Sequence, residues 1–265
     1  MRTKIIAEVG ANHGGDLDLA KEMVRVAAAA GCDYVKFQSW QARRLPEGDP
    51  NFERHSKAEL SDDAHRELID CCRGLGVEFL TTCFDVHRVE FLASLGLRTI
   101  KVASPDCSST RLLRALRDAF PHVIVSTGMT PEEDVIAAAE TLSGHNFTML
   151  HCVSLYPTPT HKVNMARMAW LRTKCPSVGF SDHTMGTPAG RLAIAMGADY
   201  LEKHFTSDRN LPGKDQAVSG TPHEFRELRA YADEVELLMG EAHPALSDEE
   251  ERLRGIYVGK WGDNS

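Results

Sequence analysis

The sequence predicts a single-domain (β/α)8 barrel, and three observations support that fold class. Short apolar runs alternate with longer segments of helical periodicity eight times along the chain. The runs are apolar without strict alternation, which is typical of strands that are buried on both faces of a parallel sheet. A length of 265 residues also suits one closed barrel, which needs about 250 residues.

Each unit of the pattern is a strand followed by a helix. The predicted strands cover residues 5–9, 33–38, 77–82, 98–103, 122–127, 147–152, 177–181 and 199–205. The predicted helices cover residues 17–30, 62–75, 86–95, 110–120, 131–142, 165–173, 189–196 and 222–239. Glycines such as Gly31 follow several helices and favour their termination. Pro131 suits the first turn of its helix, where a missing N–H is tolerated.

Two stretches fall outside this repeat. Residues 39–61 form the one long connection, polar and with two prolines, which we interpret as a lid or an oligomer contact. Residues 1–242 are assigned to the barrel and residues 243–265 to a linker-like tail. In that tail the acidic run 248–251 is interpreted as a solvated linker and the run 256–260 as a strand.

Composition excludes several classes of protein. A formal net charge of -8 argues against a general nucleic-acid binder, which needs a basic face. The sequence contains no run of about 18 apolar residues, so we expect no membrane span. The first residues lead directly into a predicted strand, so we expect no leader segment. The seven cysteines are interpreted as reduced thiols, so we expect a cytoplasmic protein.

Polar residues are concentrated where the predicted strands end, which is the end of a barrel that carries chemistry. Lys36 and Lys101 lie in strands that should be buried, where a lysine requires an anionic partner. Together with the serines and threonines at neighbouring strand ends, they predict a cradle for a phosphate and a carboxylate. The same hydroxyl groups could instead cap the helices that follow.

Two histidines follow successive strands. His183 comes after residues 177–181, and His204 closes residues 199–205. Adjacent parallel strands bring both imidazoles to one edge of the sheet, which suits a shared divalent metal. Either histidine taken alone would more often be a hydrogen-bonded structural residue, and we assign that structural role to His13 and His151.

Seven stretches resemble one known family over residues 5–239. They read AEVGANHGGDLDLAK, VKFQ, KVASPD, VSTGM, LHCVSLYPTP, VGFSDHTMG and LEKHFTSDRNLPGKD. Their content and order resemble those of the N-acetylneuraminate (sialic acid) synthase family. The resemblance implies a TIM barrel that condenses phosphoenolpyruvate with N-acetylmannosamine or a related aldose, giving a 2-keto-3-deoxy sugar acid and phosphate. It also implies a divalent metal, Mn²⁺ by preference, with Mg²⁺ or Co²⁺ as alternatives.

The resemblance also implies roles for individual residues. His183 and His204 match the metal ligands, and Glu8 and Lys101 complete the expected catalytic set. The positions expected to bind phosphoenolpyruvate are Lys36, Thr82, Lys101, Ser104, Ser126, Ser154 and Ser181. The positions expected on the acceptor side are Glu8, Gln38, Tyr156 and Asp215.

The chain departs from the family pattern on the acceptor side. Members usually carry a C-terminal antifreeze-like domain, which the tail 243–265 does not contain, and Pro105-Asp106 replaces a usual Gly-Glu or Ala-Glu. These departures leave the acceptor open between N-acetylmannosamine and a related sugar. We expect a homo-oligomer (dimer or tetramer), and a separate antifreeze-like protein is a candidate partner. The alternatives are a barrel subunit that needs that partner, a non-catalytic binding or scaffold remnant, and a class I aldolase with Lys101 as the Schiff-base lysine.

Overall fold

The computed structural model describes residues 2–240 and 245–262. Its strands are β1 Lys4–Glu8, β2 Tyr34–Ser39, β3 Glu78–Cys83, β4 Thr99–Val102, β5 His122–Ser126, β6 Phe147–Cys152, β7 Ser177–Asp182 and β8 Tyr200–His204. They pair in parallel in chain order, and β1 also pairs with β8, so the sheet closes. The prediction of a (β/α)8 barrel is confirmed.

One helix follows each strand and packs outside the barrel, and two further helices lie in the connection 39–61 and in the tail. They are α1 Leu17–Ala29, α2 Phe52–Ala58, α3 Asp62–Gly74, α4 Val89–Ser94, α5 Thr110–Ala119, α6 Glu132–Thr141, α7 Arg167–Leu171, α8 Pro188–Ala195, α9 Pro222–Met239 and α10 Asp248–Tyr257. Side-chain caps define several starts, as Asp16 does for α1 and Thr221 for α9. Pro131 is the N-cap of α6 and not its first helical residue.

The barrel interior is divided into layers, because alternate residues of each strand point inward. The middle layer is apolar and fully or almost fully buried. It consists of Ile6, Tyr34, Leu80, Ile124, Leu150 and Tyr200. Buried charged residues lie above this layer, at the carboxyl ends of the strands, and a hydrogen-bonded network that ends on Asp199 lies below it. A second, larger apolar core fills the space between the strands and the helices.

A chain of hydrogen bonds crosses the amino ends of β5, β6 and β7. Ser177 donates to Asp199 at 2.9 Å, and Thr148 donates to Ser177 at 3.0 Å. The Thr148 hydroxyl therefore accepts from Nε2 of His122, 2.9 Å away, which makes that nitrogen the protonated one. Burial lowers the pKa of His122 to about 4. This layer is thus polar and hydrogen-bonded around an imidazole that is neutral at physiological pH.

The long connection 39–61 contains structure that the sequence interpretation missed. It holds a short 3₁₀ turn, Ala42–Arg44, and the seven-residue helix α2. The backbone of α2 lies close to the β1–α1 loop, since a Cβ built on Gly15 would be 2.0 Å from the Lys57 carbonyl oxygen. The connection therefore packs beside the carboxyl end of the barrel.

The prediction for the tail was wrong in its secondary structure. The acidic run 248–251 forms the first turn of α10, begun by a capping box between Ser247 and Glu250. The run 256–260, expected to be a strand, continues this helix through Tyr257 and then turns. Acidic residues favour a helix N-terminus, and that local signal outweighed a short β-branched run. The boundary proposed at residue 242 lies outside the described residues.

No helix in the described ranges is both long and apolar enough to cross a lipid bilayer.

Candidate active site

Four buried charged side chains meet above the apolar layer of the barrel. Lys36 Nζ lies 2.7 Å from Glu8 and 3.7 Å from Glu202, and Lys101 Nζ lies 3.7 Å from the other oxygen of Glu202. These side chains are at most 8% exposed. Alternation along β1, β2, β4 and β8 points all four inward. Both lysines therefore have the anionic partners that burial requires.

The two carboxyl groups in this cluster differ in their acidity. Burial raises the pKa of Glu8 to about 7, against the opposing effect of Lys36. Burial also disfavours the charged form of Glu202, but Lys101 and Lys36 outweigh it and lower the pKa of Glu202 to about 2. Glu202 is thus a fixed anion, whereas Glu8 can exchange a proton near neutral pH. Such a separation is typical of acid–base sites.

Hydroxyl groups surround the two ammonium groups. Lys101 donates to Ser126 at 2.6 Å, and Lys36 donates to Thr82 at 3.0 Å. Ser181 donates to Glu202 at 3.1 Å. These side chains line a cavity of about 170 Å³, together with Ser104, Ser154, Cys152, Gln38 and Tyr156. A small anion in this cavity would meet two cations and several hydroxyl donors.

The two predicted histidine ligands are brought together at the rim of this cavity. The ring centroids of His183 and His204 are 5.6 Å apart, and Tyr156 packs at 4.1 Å from His183. His183 donates from Nδ1 to the carbonyl oxygen of Val153 at 3.0 Å, which leaves its Nε2 available as a ligand. Nδ1 of His204 is buried without a hydrogen-bond partner.

The protonation of these histidines has identifiable causes. Burial and the neighbouring His183 lower the pKa of His204 to about 3. Burial alone would lower the pKa of His183 as well, but the contact with Cys152, whose Sγ lies 3.8 Å from Nδ1, raises it. His204 is therefore neutral, as metal ligation requires.

Two histidines with free nitrogens fit a divalent metal, but they are an incomplete ligand set. In the described part of the chain, no group of three or more His, Cys, Asp and Glu residues has a metal-binding arrangement. Water or substrate oxygens would have to complete the shell. Open positions of this kind are typical of catalytic sites rather than structural ones.

The sequence matches a known protein family over most of its length. The NeuB family model matches residues 23–244. An N,N'-diacetyllegionaminic acid synthase of Legionella pneumophila is 36% identical, over 95% of this chain and 77% of the relative. The chain belongs to the NeuB family. A human N-acetylneuraminate-9-phosphate synthase, also similar, is 32% identical over 89% of this chain and 71% of its own length.

Solved structures agree with the NeuB assignment. An N-acetylneuraminic acid (sialic acid) synthetase from Leptospira borgpetersenii, crystallised with citrate, superimposes with a TM-score of 0.90 and 31% identity. The match covers 98% of this chain and 94% of that one. A truncated 3-deoxy-D-arabino-heptulosonate 7-phosphate synthase from Thermotoga maritima has a TM-score of 0.71 at 16% identity, which shows a shared fold alone.

The structure brings together twelve of the thirteen predicted site positions of this NeuB protein. Asp215 is the exception. It lies in the β8–α9 loop and accepts a hydrogen bond from Arg54 of α2 at 3.1 Å. Both residues line a separate depression outside the cavity, next to Lys57 and Lys214. An acceptor could reach Asp215 only if it extended beyond the cavity.

Five cavity residues were absent from the predicted set, and two of them, Glu202 and Cys152, carry ionisable groups. Glu202 pairs with both lysines, and its signal was available in the alternation of β8, which places it on the same face as His204. Cys152 lies beneath Ser154 and beside His183, with its Sγ 3.9 Å and 3.8 Å from them. A thiol inside a strand carries no sequence signal that separates it from a core cysteine.

Proposed function

We propose that this NeuB protein joins phosphoenolpyruvate to an N-acylated aldose, giving a 2-keto-3-deoxy sugar acid and phosphate. The main support is that two buried lysines, Lys36 and Lys101, line a cavity of about 170 Å³ together with several hydroxyl groups. That charge and volume suit the phosphate and carboxylate of a three-carbon substrate. Relatives named as sugar-acid synthases support the same reaction class.

The proposed reaction has two bond-making steps. The methylene carbon of phosphoenolpyruvate bonds to the aldehyde carbon of the open-chain sugar, whose oxygen takes up a proton. Water then adds at the cationic C2 and loses one proton. Phosphate leaves with the bridging oxygen by C–O cleavage as the new C2 hydroxyl loses its proton and becomes the ketone oxygen. Lys36 and Lys101 stabilise the phosphate and carboxylate charge through both steps. Glu8 lies where it can hold or move a proton because its pKa is near 7.

We further propose that His183 and His204 hold a divalent metal, Mn²⁺ by preference, with Mg²⁺ or Co²⁺ as alternatives. When bound, such an ion acts as a Lewis acid on the aldehyde oxygen. Its support is the pair of imidazoles with available nitrogens described above. In this arrangement Val153 fixes the ring of His183, and Tyr156 packs on that ring.

The decisive experiment measures phosphate release from phosphoenolpyruvate with Mn²⁺ over a panel of aldoses. The panel contains N-acetylmannosamine, its 6-phosphate, di-N-acetylated 6-deoxyhexoses and unacylated sugars. Aldose-dependent release by the purified chain supports the proposal and identifies the acceptor. Failure to bind phosphoenolpyruvate would overturn it.

The metal assignment has its own test. His183→Ala should abolish metal-dependent turnover, while His223→Ala, a change at an exposed histidine of α9, should leave it intact. Metal binding measured by calorimetry should be lost in the first variant only. Full turnover by His183→Ala in the presence of a chelator would contradict the assignment.

A class I aldolase is the second candidate, and one observation favours it. Burial lowers the pKa of Lys101, as a Schiff-base lysine requires, although Glu202 opposes the shift. Borohydride treatment in the presence of pyruvate would trap such an intermediate covalently. We expect no trapped adduct, because the Lys101 ammonium is held by Ser126 and the Val102 carbonyl.

The oligomeric state and the cellular location complete the proposal. We propose a homo-oligomer, dimer or tetramer, and a separate antifreeze-like protein that covers the sugar side of the site. Light scattering of the purified chain would test the first, and co-purification the second. We also propose a cytoplasmic location, which the seven free cysteines support because thiols stay reduced there.

A further inference from the structure

Met129 has a backbone conformation that its residue type rarely adopts. Its φ is +46°, in the left-handed region. Among the described residues, the other non-glycine with positive φ is Asn164, whose type tolerates that region. Met129 is also 68% exposed and lines the mouth of the active-site cavity. A strained, exposed apolar residue at a site entrance is a candidate for function.

The neighbours of Met129 hold the turn in place from both sides. The N–H of Gly128 donates to Ser104 at 3.0 Å, and the Thr130 hydroxyl donates to the Gly128 carbonyl at 3.0 Å. A Cβ at Gly128 would lie 2.3 Å from the Ser154 hydroxyl, so this turn packs directly on the serines of the cavity. The left-handed conformation is therefore imposed by the packed turn, and its result is to place a thioether over the cavity.

The position of Met129 relative to the polar groups is set by the barrel. Met129 follows β5, which lies opposite β1 in a closed eight-stranded barrel. Glu8 and Gln38 thus face it across the mouth. Pro105 and Tyr156 also line the cavity, and Tyr156, which is 51% exposed, packs on the ring of His183. Met129 therefore offers an exposed apolar contact at a mouth whose opposite side carries hydrogen-bonding groups.

We infer that Met129 is a specificity-determining residue that contacts an apolar substituent of the acceptor sugar. The substituent that fits is the methyl of an N-acyl group, held against the thioether while the hydroxyls face Glu8 and Gln38. A flexible, polarisable thioether suits such a contact. This inference rests on the proposed function and adds to it the group by which the acceptor is selected.

The test uses the N-acylated aldose that the wild-type chain turns over best, and its N-deacylated counterpart. The variants are Met129→Ala, Met129→Leu and Met129→Gly, with Met239→Ala as a matched exposed methionine far from the cavity. Met129→Ala should lower the kcat/KM ratio between the two sugars by about 10-fold, the size expected for a lost apolar contact. Met129→Leu should retain most of the ratio, and Met239→Ala all of it.

Met129→Gly separates the contact from the backbone conformation. Glycine adopts positive φ without strain, so this variant should have a higher Tm than Met129→Ala. It should nevertheless lose the same selectivity, because it lacks the thioether. The KM for phosphoenolpyruvate should be unchanged in all variants.

An unchanged ratio in Met129→Ala, with an active wild-type chain, would overturn the inference and leave the proposed function standing. Preference of the wild type for the deacylated sugar would do the same. No aldose-dependent phosphate release by the wild type would overturn the proposed function itself, and the inference with it.

Discussion

The two ends of the barrel interior are both polar, but they are built from different chemistry. At the carboxyl end, Lys36, Lys101, Glu8 and Glu202 place four ionisable groups in contact. At the amino end, His122 and its partners form a chain of neutral donors and acceptors that ends on Asp199. Four leucine and isoleucine side chains and two tyrosines separate the two ends.

The difference shows what each end is for. Buried charge is expensive and contributes little net stability, so a stable barrel has no need of four such groups. A satisfied network of neutral hydrogen bonds rigidifies a core at lower cost. Under the proposed function, the charge at the carboxyl end serves to bind the substrates, while the network at the amino end supports the fold. Substitutions at the two ends should accordingly affect different measurements.

The largest contrast should come from matched lysines at the two ends. Lys101→Met removes a cation from the cavity and should lower kcat/KM for the proposed reaction by at least about 10³-fold, since that charge acts on the developing anion. Lys4→Met, below the apolar layer and near the rings of Tyr34 and Tyr200, should leave it unchanged. Steady-state kinetics of both variants, with Tm as the folding control, checks this. Equal kinetic effects would remove the distinction between the ends.

A second contrast concerns the free energy of unfolding. Glu202→Gln deletes the anion that lies between two buried lysines, and should destabilise the fold by about 3–5 kcal/mol, the range for breaking a buried ion pair. Glu78→Gln, an exposed carboxylate at the start of β3, should have little effect. Urea denaturation compares the two. If Glu202→Gln had wild-type stability, the lysines would not depend on this carboxylate.

The smallest effect should appear in the pH dependence of stability. Burial lowers the pKa of His122 to about 4 in the folded chain, while an unfolded histidine binds a proton below about 6.5. The unfolded state then holds more protons between those values, so stability should fall as the pH decreases from about 6.5 to about 4. The contribution of His122 is at most about 3 kcal/mol.

The measurement compares urea denaturation of the wild type and His122→Gln from pH 4 to pH 8. Below pH 6.5 the free energy of unfolding should depend less steeply on pH in the variant, by an amount that corresponds to up to one bound proton. Identical slopes would mean that this imidazole is protonated in the folded state or that the amino-end network is already open.

Much of the fold could be predicted from the sequence because each strand–helix unit is local. Residues 222–239, for example, carry their own N-cap, proline and apolar stripe, and the helix has those bounds. The errors arose where local signals competed. Helix α2 has only two turns and lies inside a polar connection. Helix α10 begins at a capping box, but the β-branched run that follows favoured a strand.

The candidate site was predictable to the extent that it lies on strands. Alternation and strand ends place Lys36, Lys101 and His204 without knowledge of any loop. Asp215 depends on the path of the β8–α9 loop and on Arg54, 161 positions earlier in the chain, so spacing could not place it. Met129 depends on a backbone angle that hydrophobic patterning does not contain.

The apolar layer across the barrel has a consequence for traffic. The apolar layer closes the floor of the cavity with Ile6, Leu80, Ile124 and Leu150. In the described part of the chain, the cavity therefore opens at its rim. Whatever binds deepest must arrive first and depart last. Under the proposed reaction, phosphoenolpyruvate would bind before the sugar. Inorganic phosphate forms deeper in the cavity than the sugar acid and would dissociate after it.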